Sequence, residues 1–246
     1  MTPLKSPNEL HIPLEAGAAT TALVYQAVDP KIGATLILGH GAGAGQQSAF
    51  MIDFSRALAA LGLDIVTFNF PYIEQSRRIP DRGPILEACY RAVIDRTRAK
   101  VVSASRFAFI GGKSMGGRIA TQVAAADPSI PIAGLILLGY PLHPPGKPAE
   151  RRDKHLSAIG RPMLFLQGSR DAFGTPAQLA PIVATLQPAP TLRRGRRSFV
   201  QVAAKGSGGA GGDIREYSAG HRGVDARHRQ SFRSMTRPSG VNRWRR

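Results

Sequence analysis

Over the first 190 residues, apolar and polar positions follow two alternating rhythms. Short, nearly unbroken apolar runs at 22–28, 35–38, 64–70, 106–111, 133–138 and 163–166 predict strands. Between them, 50–61, 85–99 and 117–126 space their apolar residues at helical intervals, and Gly62 and Pro71 end the segments before them. A strand that is apolar at successive positions is covered on both faces. The alternation therefore predicts an α/β fold, a mostly parallel central sheet with helices on both faces. Ligands in such sheets bind at the carboxyl ends of the strands. Loops 39–45, 112–116, 139–148 and 168–174 fall at that edge.

After Leu192 the rhythm fails. Gly206–Gly212 is low in complexity, and Asn242–Arg246 has no packing pattern. The expected organisation is one domain over 1–192 and an irregular Arg/Gly-rich tail over 193–246, with the last βα unit missing or disrupted. The net charge of +17 belongs mostly to this tail: 191–246 carry fourteen basic against three acidic residues, which leaves the body a net of only +6. Clustered arginine suits nucleic acid, but the tail has few aromatic residues to stack bases, and that reading is disfavoured. At 246 residues and 43% hydrophobic content the chain can bury one sizeable core. Cys89 is its single cysteine, so no internal disulfide forms, which fits a reducing compartment. It is read as a core thiol on a helix. The longest apolar run, Ile132–Gly139, is far too short to span a membrane, and the N-terminus has no apolar segment after its charge. The expectation is a soluble, cytoplasmic protein.

Gly112-Lys113-Ser114-Met115-Gly116 lies between the apolar run 106–111 and the helical stretch 117–126. Gly-x-Ser-x-Gly in strand–turn–helix context is the pattern of a nucleophile elbow. A serine lifted off so sharp a turn needs small residues two positions either side, so that strand and helix can approach. The alternative is a glycine-rich turn with an incidental serine. A serine nucleophile needs an acid-oriented base and an oxyanion hole, with partners in chain order Ser, Asp or Glu, His. Asp171, after the strand 163–166, is the candidate acid. The backbone N–H groups of Met115 and Ala42 are the candidate oxyanion donors. His40 is read as orienting the 40–43 loop, and Lys113 as a solvent-exposed residue of the turn or a charge near the site. No cofactor and no metal are called for.

Several longer motifs, Phe68-Asn-Phe-Pro-Tyr-Ile-Glu, Arg77-Arg-Ile-Pro-Asp-Arg, Gly111-Gly-Lys-Ser-Met-Gly-Gly-Arg118, Gly139-Tyr-Pro-Leu-His-Pro-Pro-Gly146 and Phe165-Leu-Gln-Gly-Ser-Arg-Asp171, extend the resemblance. Over roughly 20–192 the chain resembles the dienelactone-hydrolase-like branch of the α/β-hydrolases related to testis-expressed protein 30 and subunit 3 of the NSL chromatin complex. The resemblance implies an α/β-hydrolase fold, Ser114 as nucleophile and Asp171 as acid. It also implies an acyl-enzyme route on a small-molecule ester, thioester or lactone. The chromatin-complex relative suggests the alternative of a non-catalytic scaffold with a protein partner.

The departure from the pattern is the catalytic histidine. Relatives resemble Val-Glu-Gly-Ala-Asp-His-Ser-Phe where this chain reads Arg193-Arg-Gly-Arg-Arg-Ser-Phe199, and no histidine occurs between His155 and His221. A shift of reading frame accounts for this: codons can be chosen for 194–206 that, read one base later, encode Glu-Gly-Ala-Asp-His-Ser-Phe. The same shift turns His221–Arg229 into Thr-Val-Ala-Trp-Met-Arg-Ala-Ile-Asp, a plausible closing helix. True divergence is the rival, and sequencing the gene near codon 192 separates the two. As written, the chain is expected to be impaired, with His143 as a substitute candidate for the base.

Overall fold

The computed structural model describes residues 6–195. The chain divides into two units, Met1–Gly208 and Gly209–Arg246, and every described residue belongs to the first. Strands β1 (Asn8–Pro13), β2 (Ala19–Tyr25), β3 (Thr35–Gly39), β4 (Asp64–Phe68), β5 (Ala108–Lys113), β6 (Gly134–Leu138), β7 (Met163–Gly168) and β8 (Thr191–Gly195) form one sheet. Its order is β1-β2-β4-β3-β5-β6-β7-β8. From β4 to β8 all pairs are parallel, while β1–β2 and β2–β4 are antiparallel. The apolar runs of the sequence are these inner strands, and β3, β5 and β6 are buried at every position.

The helices are α1 (Ala49–Ala60), α2 (Pro71–Glu74), α3 (Gly83–Lys100), α4 (Val102–Arg106), α5 (Met115–Ala126) and α6 (Pro176–Val183). Helix α5 packs on β3, β5, β6 and α3, while α1 covers β2 and β4. Tyr90 of α3 is fully buried, and its hydroxyl reaches into the ladder between β3 and β5. That oxygen lies 2.9 Å from Ile37 O and 2.5 Å from Gly111 O, and accepts the Gly111 N–H at 3.0 Å.

Strand β8 pairs in parallel register with β7, from Leu164–Thr191 to Gly168–Gly195, and runs across the boundary expected after Leu192. Arg193 and Arg194 are its exposed positions, so a strand on the sheet's rim accommodates the charge that made the segment look irregular. The expected tail beyond Gly195, including the closing helix and the frame-shifted segment, lies outside the described residues.

Candidate active site

Ser114 joins β5 to α5 with φ 49° and ψ −112°, a conformation that L-residues rarely adopt. The turn is held from both sides: Ser114 N–H donates to Leu138 O at 2.9 Å, and Ser114 O accepts Arg118 N–H at 3.1 Å. Its tightness depends on glycine. A Cβ on Gly116 would sit 2.2 Å from Gly39 O, and one on Gly112 would sit 2.4 Å from the same oxygen. The start of α5 therefore lies directly on β3 and β5. This is the close approach that the spacing of the motif predicts.

The loop after β3 comes up beside the serine. His40 is fully buried. Its Nε2 accepts Phe70 N–H at 3.0 Å, so the proton sits on Nδ1, which donates to Gly41 O at 2.8 Å. Burial pulls its pKa down to about 4, which keeps the ring neutral. With both nitrogens engaged, His40 orients its loop, as expected. Gly41 C=O and Ala42 N–H share one trans peptide plane, so fixing the carbonyl on His40 aims the N–H the opposite way. The Tyr72 hydroxyl donates to Ala42 O at 2.9 Å and pins the next peptide. Among the described residues neither Ala42 N–H nor Met115 N–H donates to a protein group. Ala42, Ser114 and Met115 line one cavity of about 270 Å³, together with Asp81, Arg118, Arg152 and Phe173.

A sequence model of the alpha/beta hydrolase domain matches residues 32–199. The chain belongs to the alpha/beta hydrolase family. This family member is similar in structure to a serine hydrolase without a lid from Xanthomonas campestris, at 23% identity and TM-score 0.60 over 78% of this chain and 86% of that one. A dienelactone hydrolase from Anabaena variabilis gives 17% identity and TM-score 0.61 over 79% and 88% of the two chains. Esterase 2 from Thermogutta terrifontis, phosphoramylated by tabun, gives 15% and 0.63 over 89% and 94%. At such identities the likeness is one of fold.

The other candidates of this alpha/beta hydrolase distribute as follows. Asp171 is buried in the loop after β7, where its Oδ1 accepts Phe173 N–H at 3.0 Å. Phe173, rather than Asp171, forms cavity wall. His143, after β6, does not line that cavity: its Nδ1 bonds Pro144 O at 2.8 Å, and its Nε2 faces the Gln178 amide nitrogen at 3.2 Å. His155 is likewise committed, to the Thr121 hydroxyl at 2.8 Å.

Lys113 is a correction. It is only 8% exposed, with its ammonium 4.2 Å from the centre of the Phe50 ring. Burial lowers its pKa, while the Asp171 charge acts to raise it. A parallel strand at the middle of a sheet is covered on both faces, so even its last residue is enclosed, and the solvent-exposed reading falls.

Arg118 and Arg152 were not assigned from sequence. Arg118 stands four residues past the serine, in the first turn of α5. Arg152 comes from a distant loop with no local signal.

A larger cavity of about 430 Å³ lies elsewhere, walled by β1, β2, Asp64 and Ser103. Asp64 there accepts Ala27 N–H at 2.7 Å and the Ser103 hydroxyl, which leaves its carboxylate in a structural role. Among the described residues no three His, Cys, Asp or Glu side chains cluster to hold a metal, and no helix is long and apolar enough to cross a membrane.

Proposed function

We propose that this protein is a serine hydrolase in which Ser114 attacks a small ester, thioester or lactone to form an acyl-enzyme. The observation that carries the reading is the turn itself: Ser114 sits at φ 49° in a cavity that it shares with Ala42 and Met115, whose N–H groups have no protein acceptor among the described residues. Attack on a carbonyl carbon by the Ser114 oxygen moves negative charge to the carbonyl oxygen. Two N–H donors fixed in advance stabilise that charge without reorganisation. The start of α5 adds its dipole with the same sign. Asp171 is the acid that would orient a base.

We read none of the described histidines as the base: His40, His143 and His155 are each bonded elsewhere, and His11 lies exposed on β1. Loss of a triad member costs a serine hydrolase about 10⁴–10⁶-fold in turnover, and the oxyanion hole retains part of the rate. The chain is therefore read as competent to bind and to be acylated slowly, with impaired turnover.

That same absence favours a second reading, a non-catalytic scaffold of the kind suggested by the resemblance to the chromatin-complex subunit. A fluorophosphonate probe tests the two on the full chain. The hydrolase reading expects slow, stoichiometric labelling at Ser114, found by peptide mass spectrometry and lost in Ser114→Ala. No labelling at saturating probe, or labelling on another residue, overturns it in favour of the scaffold. Ser114-dependent ester turnover at ordinary enzyme rates overturns the impairment.

A further inference from the structure

Two cations share the cavity with Ser114. Arg118 and Arg152 both line it, and neither pairs with a carboxylate among the described residues. Arg118 stands in the first turn of α5, four positions after Ser114, and lines the same cavity as the serine. Its Nη1 donates to the Gln122 side-chain oxygen at 3.1 Å, a neutral partner that orients the guanidinium without cancelling its charge. Arg152 is placed by its own backbone: its N–H donates to Leu142 O at 2.8 Å, and its C=O accepts the Tyr140 hydroxyl at 2.6 Å.

The acid on the wall, Asp81, makes an ion pair with neither of them. Asp81 is held by Arg77 at 2.5 Å, with its side chain only 7% exposed. Burial first and the neighbouring Arg152 charge second lower the pKa of Arg118, against smaller opposing effects of Tyr140 and Glu87. Such an arrangement costs the empty protein stability that an entering anion recovers, because in a half-buried cavity the attraction is screened far less than in water.

We propose that Arg118 and Arg152 form an anion subsite one helical turn from Ser114, and that the esters or lactones taken by this chain carry a carboxylate. As a statement about substrate this rests on the serine hydrolase reading; as a binding site it stands by itself. A cavity of about 270 Å³ holding both arginines and the serine suits a short dicarboxylic half-ester, with its carboxylate on the arginines and its ester carbonyl at the Ser114 oxygen. A planar guanidinium takes a carboxylate through two parallel N–H bonds, which fixes orientation as well as charge.

The test uses the full chain carrying Ser114→Ala, so that nothing is consumed, and isothermal titration with monomethyl glutarate and its neutral counterpart dimethyl glutarate. The expected result is binding of the half-ester at least tenfold tighter than the diester, with the advantage shrinking as salt is added. Arg118→Gln and Arg152→Gln, introduced singly, should each remove most of that advantage while diester affinity holds. Circular dichroism checks that each variant is folded, and the comparison of half-ester with diester stands without either variant. Equal affinity for the two esters overturns the proposal, as does a half-ester preference that survives both substitutions. Failure of the hydrolase reading is read separately, as absent probe labelling of wild-type Ser114, whatever the titrations give.

Discussion

Replacing Ser114 by glycine is expected to leave the protein more stable than replacing it by alanine. The backbone at Ser114 is fixed at φ 49° and ψ −112°, and two hydrogen bonds, from its N–H to Leu138 O and from Arg118 N–H to its carbonyl, hold it there. For a residue with a Cβ this region costs about 1–3 kcal/mol. Glycine avoids the clash but gives up roughly 0.5–1 kcal/mol of chain entropy on folding. The difference is about 1 kcal/mol in favour of glycine, or roughly 2–4 °C in melting temperature for a domain of this size. Alanine is the right reference, because both variants lack the hydroxyl and its contacts cancel. Urea unfolding followed by circular dichroism, with equal m-values, gives the comparison directly. If Ser114→Gly is no more stable than Ser114→Ala, the turn stores no strain, and the argument that the fold holds this serine against its own preference fails.

Two further outcomes follow from buried titratable groups. His40 has a pKa of about 4 in the fold against about 6.5 when unfolded, so the unfolded chain binds the extra proton between those values. Stability should therefore fall as pH drops from about 6.5 to 4, by roughly 2–3 kcal/mol from this residue, and then level off. His155, also lowered by burial, adds in the same direction. Urea midpoints across this range in wild type and His40→Gln check the claim, and an undiminished slope in the variant refutes it. The Cys89 thiol is pushed up to about 12, chiefly by burial and secondarily by the Glu74 and Asp81 charges, so almost no thiolate exists at neutral pH. Ellman's reagent should modify Cys89 only as fast as the native chain opens and rapidly in denaturant; fast reaction in the native state contradicts this.

The legibility of the chain depended on how much of each element is covered. The inner strands β3, β5 and β6 announced themselves because they are buried throughout, and an enclosed strand is a run of apolar letters. Only Ile12 is buried among the six residues of β1, so nothing in its composition marks it as a strand. Helix α6 was hidden by Pro176 and Pro181, although Pro176 stands at the first turn, where proline is tolerated, and Thr175 with Gln178 forms a capping box that could have been read. The serine was visible because a sharp turn is a local demand on neighbouring residues. Arg118 was within reach of the same logic, four positions on. Arg152 and the enclosure of Lys113 depend on what distant segments bring alongside, and no window of sequence contains that.

The Tyr90 hydroxyl has a reach beyond its size. Ile37 and Gly111, which it joins, lie a few residues before His40 and Ser114 on adjacent strands. One oxygen from α3 thereby sets the gauge between the strand that delivers the His40–Ala42 loop and the strand that delivers the serine. Tyr90 is sealed from solvent and forms no part of the cavity wall. A screen scoring positions by loss of Ser114 chemistry would nonetheless rank it beside residues that touch the ligand, because an error in the gauge is felt at both loops at once. In a hydrolase of this build, a defect in chemistry can originate in carpentry.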